Sequence, residues 1–143
     1  MASSNTESAP RRPLPVPDPL SERFWAGAAE GRLVIQRCAA CRHYFHPPVS
    51  RCFHCGSEDF RYDAVSGHGR VDTFTVTRDA RNAAFKLIQP YIVAWIELAE
   101  QDGLRLICNM PAEDLDRVAI GAPVEVFFEP VAAGRQLPQF RLR

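Results

Sequence analysis

Between Arg37 and Gly56 the chain reads RCAACRHYFHPPVSRCFHCG. Four of its five cysteines fall there, as two C-x-x-C pairs ten residues apart. A C-x-x-C turn brings two thiolates to one point from a tight backbone loop, and two such turns complete a tetrahedral four-sulfur site. The spacer RHYFHPPVSR is long enough to run out and return, and Pro47 and Pro48 shape that excursion. The pattern predicts one metal ion held by Cys38, Cys41, Cys52 and Cys55. Zinc is the expected ion, with iron the alternative because four thiolates suit both. Four protein sulfurs leave no open position for water or substrate, so the expected role of the ion is structural. His43, His46 and His54 are not needed as ligands and are expected at the surface or in hydrogen bonds.

No apolar run approaches the length of a membrane span. The first twenty residues, MASSNTESAPRRPLPVPDPL, are polar and proline-rich, with no apolar signal-peptide core. A cytoplasmic location is expected, where paired cysteines bind metal rather than form disulfides. Lys+Arg and Asp+Glu balance at 17 each. A protein that tracks phosphates carries a basic excess, so the charge argues against nucleic acid as the partner.

Five of the twelve prolines fall within the first 19 residues, so 1–17 reads as a disordered or extended tail. The stretch 18–32 reads as a short amphipathic helix. Asp18 suits its cap, Pro19 its first turn and Gly31 its end, while Leu20, Phe24 and Ala28 form one apolar face beside Trp25. LVIQR predicts a strand into the first cysteine pair. From His68 the pattern turns to strands: GRVDTFTVTRD, PYIVAWIEL and LRLICNM, then a helical turn at PAEDLDRV, then APVEVFFEP and LPQFRLR. Three strands, a short helix and two strands is the order of a five-stranded OB barrel, although other small five-stranded barrels fit this pattern nearly as well.

Signs of chemistry are few. There is no Walker loop, G-x-G-x-x-G, H-E-x-x-H or G-x-S-x-G. Glu97, Glu100, Asp102, Glu113, Asp114 and Asp116 lie in polar turns and read as solvated charges. Cys108 falls on the apolar side of its strand and reads as a buried, inert thiol. The segment TRDARNAAFKLIQ (77–89) is too long for a tight hairpin turn. It interleaves Arg78, Arg81 and Lys86 with Phe85, Leu87 and Ile88. Such a loop either folds its apolar residues onto the barrel or presents them with the charges to a nucleotide-linked acyl group or a partner protein.

Taken together, FWAGAAEGRLVIQRCAACRHYFHPPVSRCFHCGS, GHGRVDTFTVTR, PYIVAWIELAE and GAPVEVFFEP resemble the zinc-ribbon/OB-fold acyl-CoA-associated proteins, formerly a domain of unknown function. The likeness runs from about Ser21 to Phe140. It implies a mainly β chain with an N-terminal helix, a rubredoxin-like zinc ribbon over 33–62 and a five-stranded OB-fold domain over 63–143. It also implies a chain that is not an enzyme on its own. Members resemble accessory subunits of thiolase-fold enzymes (aldolases of steroid side-chain breakdown, acyltransferases, condensing enzymes) or of hot-dog-fold enoyl-CoA hydratases. No hydratase sequence is present here, which favours a thiolase-fold partner in a hetero-oligomer, with acyl-CoA at a shared site. Arg42 departs from the family pattern, standing where many knuckles have glycine. The loop chemistry nominates Arg78, Arg81, Phe85 and Lys86 as an acyl-CoA or partner surface. Trp25, Tyr44 and Phe53 are nominated as apolar partner contacts. Nucleic-acid binding and electron transfer through iron are the competing classes, and ferric four-sulfur iron would reveal itself by its red colour.

Overall fold

The computed structural model describes residues 9–143; the first eight residues of the expected tail lie outside the described residues. Residues 9–17 have no regular secondary structure and lie along the barrel. The Arg12 guanidinium pairs with Glu129, and Arg135 donates to the Pro15 carbonyl.

The helix α1 spans Glu22–Ala29. Asp18 does not cap it directly but builds the turn before it. Its Oδ1 accepts from the Leu20 and Ser21 N–H groups at 3.0 and 2.7 Å, and its carbonyl accepts from Glu22 N–H. Leu20 is therefore left outside the helix and exposed, while Phe24 and Ala28 are buried as expected. Gly31 ends the segment at φ +72°, the left-handed conformation that favours glycine.

Two sheets follow. The first is three-stranded, β2-β1-β3, built from β1 (Val34–Cys38), β2 (Tyr44–Phe45) and β3 (Phe60–Ala64). The second contains β4 (His68–Thr77), β5 (Tyr91–Leu98), β6 (Arg105–Met110), β7 (Pro123–Ala132) and β8 (Arg135–Leu142), in the order β6-β5-β4-β7-β8. Along the chain this is third, second, first, fourth, fifth, which selects the OB barrel among the five-stranded alternatives. The long first strand serves both neighbours: β4 pairs with β5 along its length, while His68–Arg70 also pair with β7. The outer strands β6 and β8 approach each other, and the Asn109 N–H donates to Gln139 Oε1 at 2.6 Å.

Alternation places Leu106, Cys108 and Met110 in the barrel interior with Ile92, Ile96, Val124 and Phe140. Phe24, Leu33 and Ile35 belong to the same core, so helix and ribbon pack on the barrel through continuous apolar contact. Gly69 makes the barrel entry tight. A Cβ there would sit 2.4 Å from the Glu97 carbonyl oxygen and 2.9 Å from Ile96 Cγ2. Gly69→Ala is therefore expected to cost about 2–3 kcal/mol, because a backbone carbonyl cannot rotate away as a side chain can. Urea denaturation checks this, and a midpoint within error of the parent chain would contradict it.

Two acidic residues read as solvated are buried. Glu97 accepts from Arg70 and, at 3.0 Å, from the Gly103 N–H that closes the β5–β6 turn. The Gly103 N–H and Arg70 hold its carboxyl below the usual carboxylate range. Asp114 accepts from the Leu142 N–H at 2.9 Å and pins the last strand. Sequence places both carboxylates beside turns, but does not show that a turn N–H or a distant strand reaches them.

Candidate metal centre and adjoining cavity

The two knuckles have matching backbones. Cys38 N–H donates to the His43 carbonyl, and Cys52 N–H to that of Ser57. Arg42 and Gly56 N–H groups donate back to the Cys38 and Cys52 carbonyls at 2.9 and 2.8 Å. Gly56 sits at φ +80° and Arg42 at φ +68°. Arg42 thus takes up the left-handed conformation that glycine would adopt, at a cost on the order of 1 kcal/mol, and the turn survives the substitution.

All four Sγ atoms, of Cys38, Cys41, Cys52 and Cys55, lie within 4.8 Å of one another. The Cys38–Cys55 and Cys41–Cys52 sulfur pairs are each 3.6 Å apart. A tetrahedron with metal–sulfur bonds near 2.3 Å has edges of roughly 3.8 Å, so the four sulfurs can hold one ion with little movement. The four thiols do not ionise alike: against the lowering by the His43 N–H, burial and the neighbouring Cys52, Cys55 and Cys38 sulfurs raise Cys41 to about 12. The N–H groups of Cys41 and Ala40 pull the Cys38 thiol down to about 6. Cys55 N–H lies 3.4 Å from Cys52 Sγ. Arg37, Arg42 and Arg61 line a small pocket beside Cys38, and the Arg37 guanidinium is paired with Asp63.

The spacer between the cysteine pairs is tied down by buried Gln36. Its amide nitrogen donates to the Val49 carbonyl and its oxygen accepts the Val49 N–H, both at 2.8 Å. On the other side Gln101, from the β5–β6 turn, acts as a strand partner for β2. It accepts from Tyr44 N–H at 2.8 Å and donates to the Tyr44 carbonyl at 3.1 Å, with His43 Nε2 also 3.1 Å away. The barrel thereby grips the ribbon within a few residues of the sulfurs.

None of the three ribbon histidines joins the sulfur cluster. His43 and His54 stack with ring centroids 4.9 Å apart. His46 differs from expectation: it is half-buried, its ring 4.9 Å from that of Phe24, and it has no hydrogen-bond partner among the described residues. Burial pushes its pKa down to about 4. Above the ordinary value of 6.5 its stabilising contribution is complete. As pH falls from 6.5 towards 4, the unfolded chain takes up a proton that the folded chain refuses, and stability is lost. The loss amounts to at most about 3 kcal/mol. A His46→Phe chain is expected to show a flatter stability profile over that window. Parallel profiles of parent and variant would refute the assignment.

His46 lines a cavity of about 510 Å³ that the sequence did not reveal. Its walls come from α1 (Phe24, Trp25), the spacer (His46, Pro47), Phe85 of the 77–89 loop, and strands β5, β6 and β8. Two nominated surface residues, Trp25 and Phe85, therefore meet in one place. The others do not. Tyr44 lies in β2 with the Arg37 guanidinium 4.5 Å above its ring. Phe53 is 82% exposed at the ribbon tip. Arg78, Arg81 and Lys86 are exposed and form no ion pair among the described residues. The loop carries a four-residue helix, α2 (Ala83–Lys86), whose first turn is capped by Asn82. It folds Ala80, Ala84 and Phe85 inward and leaves Leu87 and Ile88 outside, so the loop packs only part of its apolar side chains onto the barrel. Cys108 is 5% exposed and burial raises its thiol to about 12, which leaves it unreactive at neutral pH.

Among the described residues no helix is long and apolar enough to cross a membrane. The rubredoxin-like zinc ribbon domain of ChsH2 matches residues 25–61, and the C-terminal OB-fold domain of ChsH2 matches residues 62–129. A probable enoyl-CoA hydratase alpha subunit from Thermomonospora curvata is 39% identical over 142 residues, covering 97% of this chain and 43% of that protein. A 3-oxo-4,17-pregnadiene-20-carboxyl-CoA hydratase alpha subunit from Mycobacterium tuberculosis is 34% identical over 105 residues, covering 73% of this chain and 32% of that protein. The chain thus spans less than half the length of either hydratase subunit. A chain of the solved Ltp2-ChsH2(DUF35) aldolase superposes with TM-score 0.81 at 36% identity, over 90% of this chain and 98% of that one. Matching knuckles, an OB strand order and these likenesses agree: the chain belongs to the ChsH2 zinc-ribbon/OB-fold (DUF35) family.

Proposed function

We propose that this chain is a non-catalytic accessory subunit that docks on a thiolase-fold acyl-CoA enzyme, an aldolase or acyltransferase, and helps form its acyl-CoA channel. The carrying observation is the likeness to a chain of the Ltp2-ChsH2(DUF35) aldolase, which extends over nearly all of that chain. The four-sulfur cluster supports the reading, because a metal ion enclosed by four thiolates stabilises a fold and has no position for substrate. Zinc is the proposed ion, and the free thiols suit the reducing cytoplasm. In this reading Trp25, Tyr44 and Phe53 supply apolar contact with the enzyme. The exposed cations Arg78, Arg81 and Lys86, beside Phe85, face the nucleotide end of an acyl-CoA. A steroid or lipid side chain is the proposed acyl group, in keeping with the pregnadiene-carboxyl-CoA relative.

A hydratase of the hot-dog fold is the second reading, favoured by the two hydratase relatives. Affinity purification of the tagged chain from its native lysate separates the two. A stoichiometric thiolase-fold subunit, with its activity reduced at least tenfold when Arg78, Arg81 and Lys86 are all changed to Glu, is the expected result. A hot-dog-fold subunit would establish the second reading. Co-purified nucleic acid, or a chain without partner, would overturn both.

A further inference from the structure

The cavity of about 510 Å³ lies where α1, the His46–Pro48 segment and the β5–β6 face of the barrel converge. That face, with the loop between the first two strands, is where OB folds commonly take ligands. Here it is built for something other than phosphate or carboxylate. Among the described residues no Asp, Glu, Lys or Arg lines the cavity. Its walls are aromatic rings, prolines and aliphatic side chains, among them Trp25, Phe85, Tyr91 and Pro138. Two of its amides are already used: Asn109 donates to the Ile92 carbonyl, and Gln139 donates to Glu129. The His46 ring is left on the wall with no hydrogen-bond partner among the described residues. A cavity near 150 Å³ holds one benzene ring, so this volume corresponds to about three rings.

We propose that this cavity is a ligand site for an uncharged two- or three-ring apolar compound bearing one oxygen, which accepts a hydrogen bond from the His46 ring. Burial keeps that ring neutral at physiological pH, so it offers one N–H without attracting anions. The site shares Trp25 and Phe85 with the surface proposed to meet the enzyme and its acyl-CoA, and it is tested on this chain without a partner. Its failure would leave the accessory-subunit reading intact, since that reading is judged by complex formation.

Three probes on one scaffold test it against the full-length, metal-loaded chain: 9-fluorenone, fluorene and fluorene-9-carboxylate. The readout is the nuclear magnetic resonance signal of the Trp25 indole N–H, with the backbone amides as a map. Fluorenone is expected to shift the Trp25 and Phe85 signals saturably, and the carboxylate to bind at least tenfold more weakly. His46→Phe retains a ring against Phe24 and removes the donor. It should weaken fluorenone about fivefold, the worth of one neutral hydrogen bond, and leave fluorene unchanged. Ile107→Glu places a charge at the mouth on an exposed position, so it preserves the fold and should abolish binding of both neutral probes. The proposal is overturned if fluorenone gives no saturable shift, or if the largest shifts fall at Phe53 and the ribbon tip. Equal binding of the carboxylate would also overturn it, as would an equal effect of His46→Phe on both neutral probes.

Discussion

A Cys52→Ser chain will lose its metal and the order of residues 38–60 together. Cys52 is almost fully buried, its sulfur is 3.6 Å from that of Cys41, and its backbone anchors the second knuckle through Ser57 and Gly56. The ribbon has few other resources. Its sheet includes a strand of two residues, and Phe53 points into solvent. In units of this kind the metal supplies on the order of 10–16 kcal/mol that is inseparable from folding. The expected result is at least a hundredfold weaker zinc binding, with loss of amide protection across both knuckles. Partner binding should vanish with it. Chelation of the parent chain should reproduce the same spectrum, which separates loss of the ion from local damage by the serine. The barrel should keep its fold but melt at a lower temperature, because Leu33 and Ile35 leave its core when β1 loosens. Metal content by mass spectrometry together with amide exchange decides the matter. A metal-free chain whose knuckles stay protected would show that the ribbon stands without its ion.

The second large effect is expected at Phe140. It is the largest fully buried side chain, on β8 opposite Val126, within the core shared by barrel, helix and ribbon. Phe140→Ala removes a ring from an interior that cannot collapse around the gap, for a loss of about 3–5 kcal/mol. Against a total stability of roughly 5–15 kcal/mol this is a large share. Phe140→Leu refills part of the space and should recover more than half of the loss. Calorimetry of the three chains checks both statements. A fall in melting temperature of only a degree or two for the alanine variant would mean that the seam between β6 and β8 is not packed as described.

Much of this architecture could be read from local pattern, because local pattern is what causes it. Two C-x-x-C turns determine their own knuckles. Alternation in LRLICNM places Cys108 and Met110 inside, since a strand has a side-chain period of two. The misreadings share a different cause. Asp18 was expected to cap the helix, but the turn it builds displaced the helix start by one turn and left Leu20 outside. Glu97 near the end of β5 and Asp114 in a short helical turn were read as solvated, yet Arg70, Gly103 and the last strand close over them, and nothing adjacent in sequence announces this. The cavity is the extreme case. Seven separate stretches line it, and the one local hint was a histidine set between Phe45 and two prolines.

The continuity of the core has a practical corollary for anyone who would dissect the chain. A cut near residue 62, where the two family domains meet, looks natural on paper. It would strip Phe24, Leu33 and Ile35 from the barrel and expose the apolar floor they cover. It would also leave Gln101 without the strand it completes. The isolated barrel fragment would present a sticky face to its neighbours, and self-association of that fragment would be an artefact of the scissors.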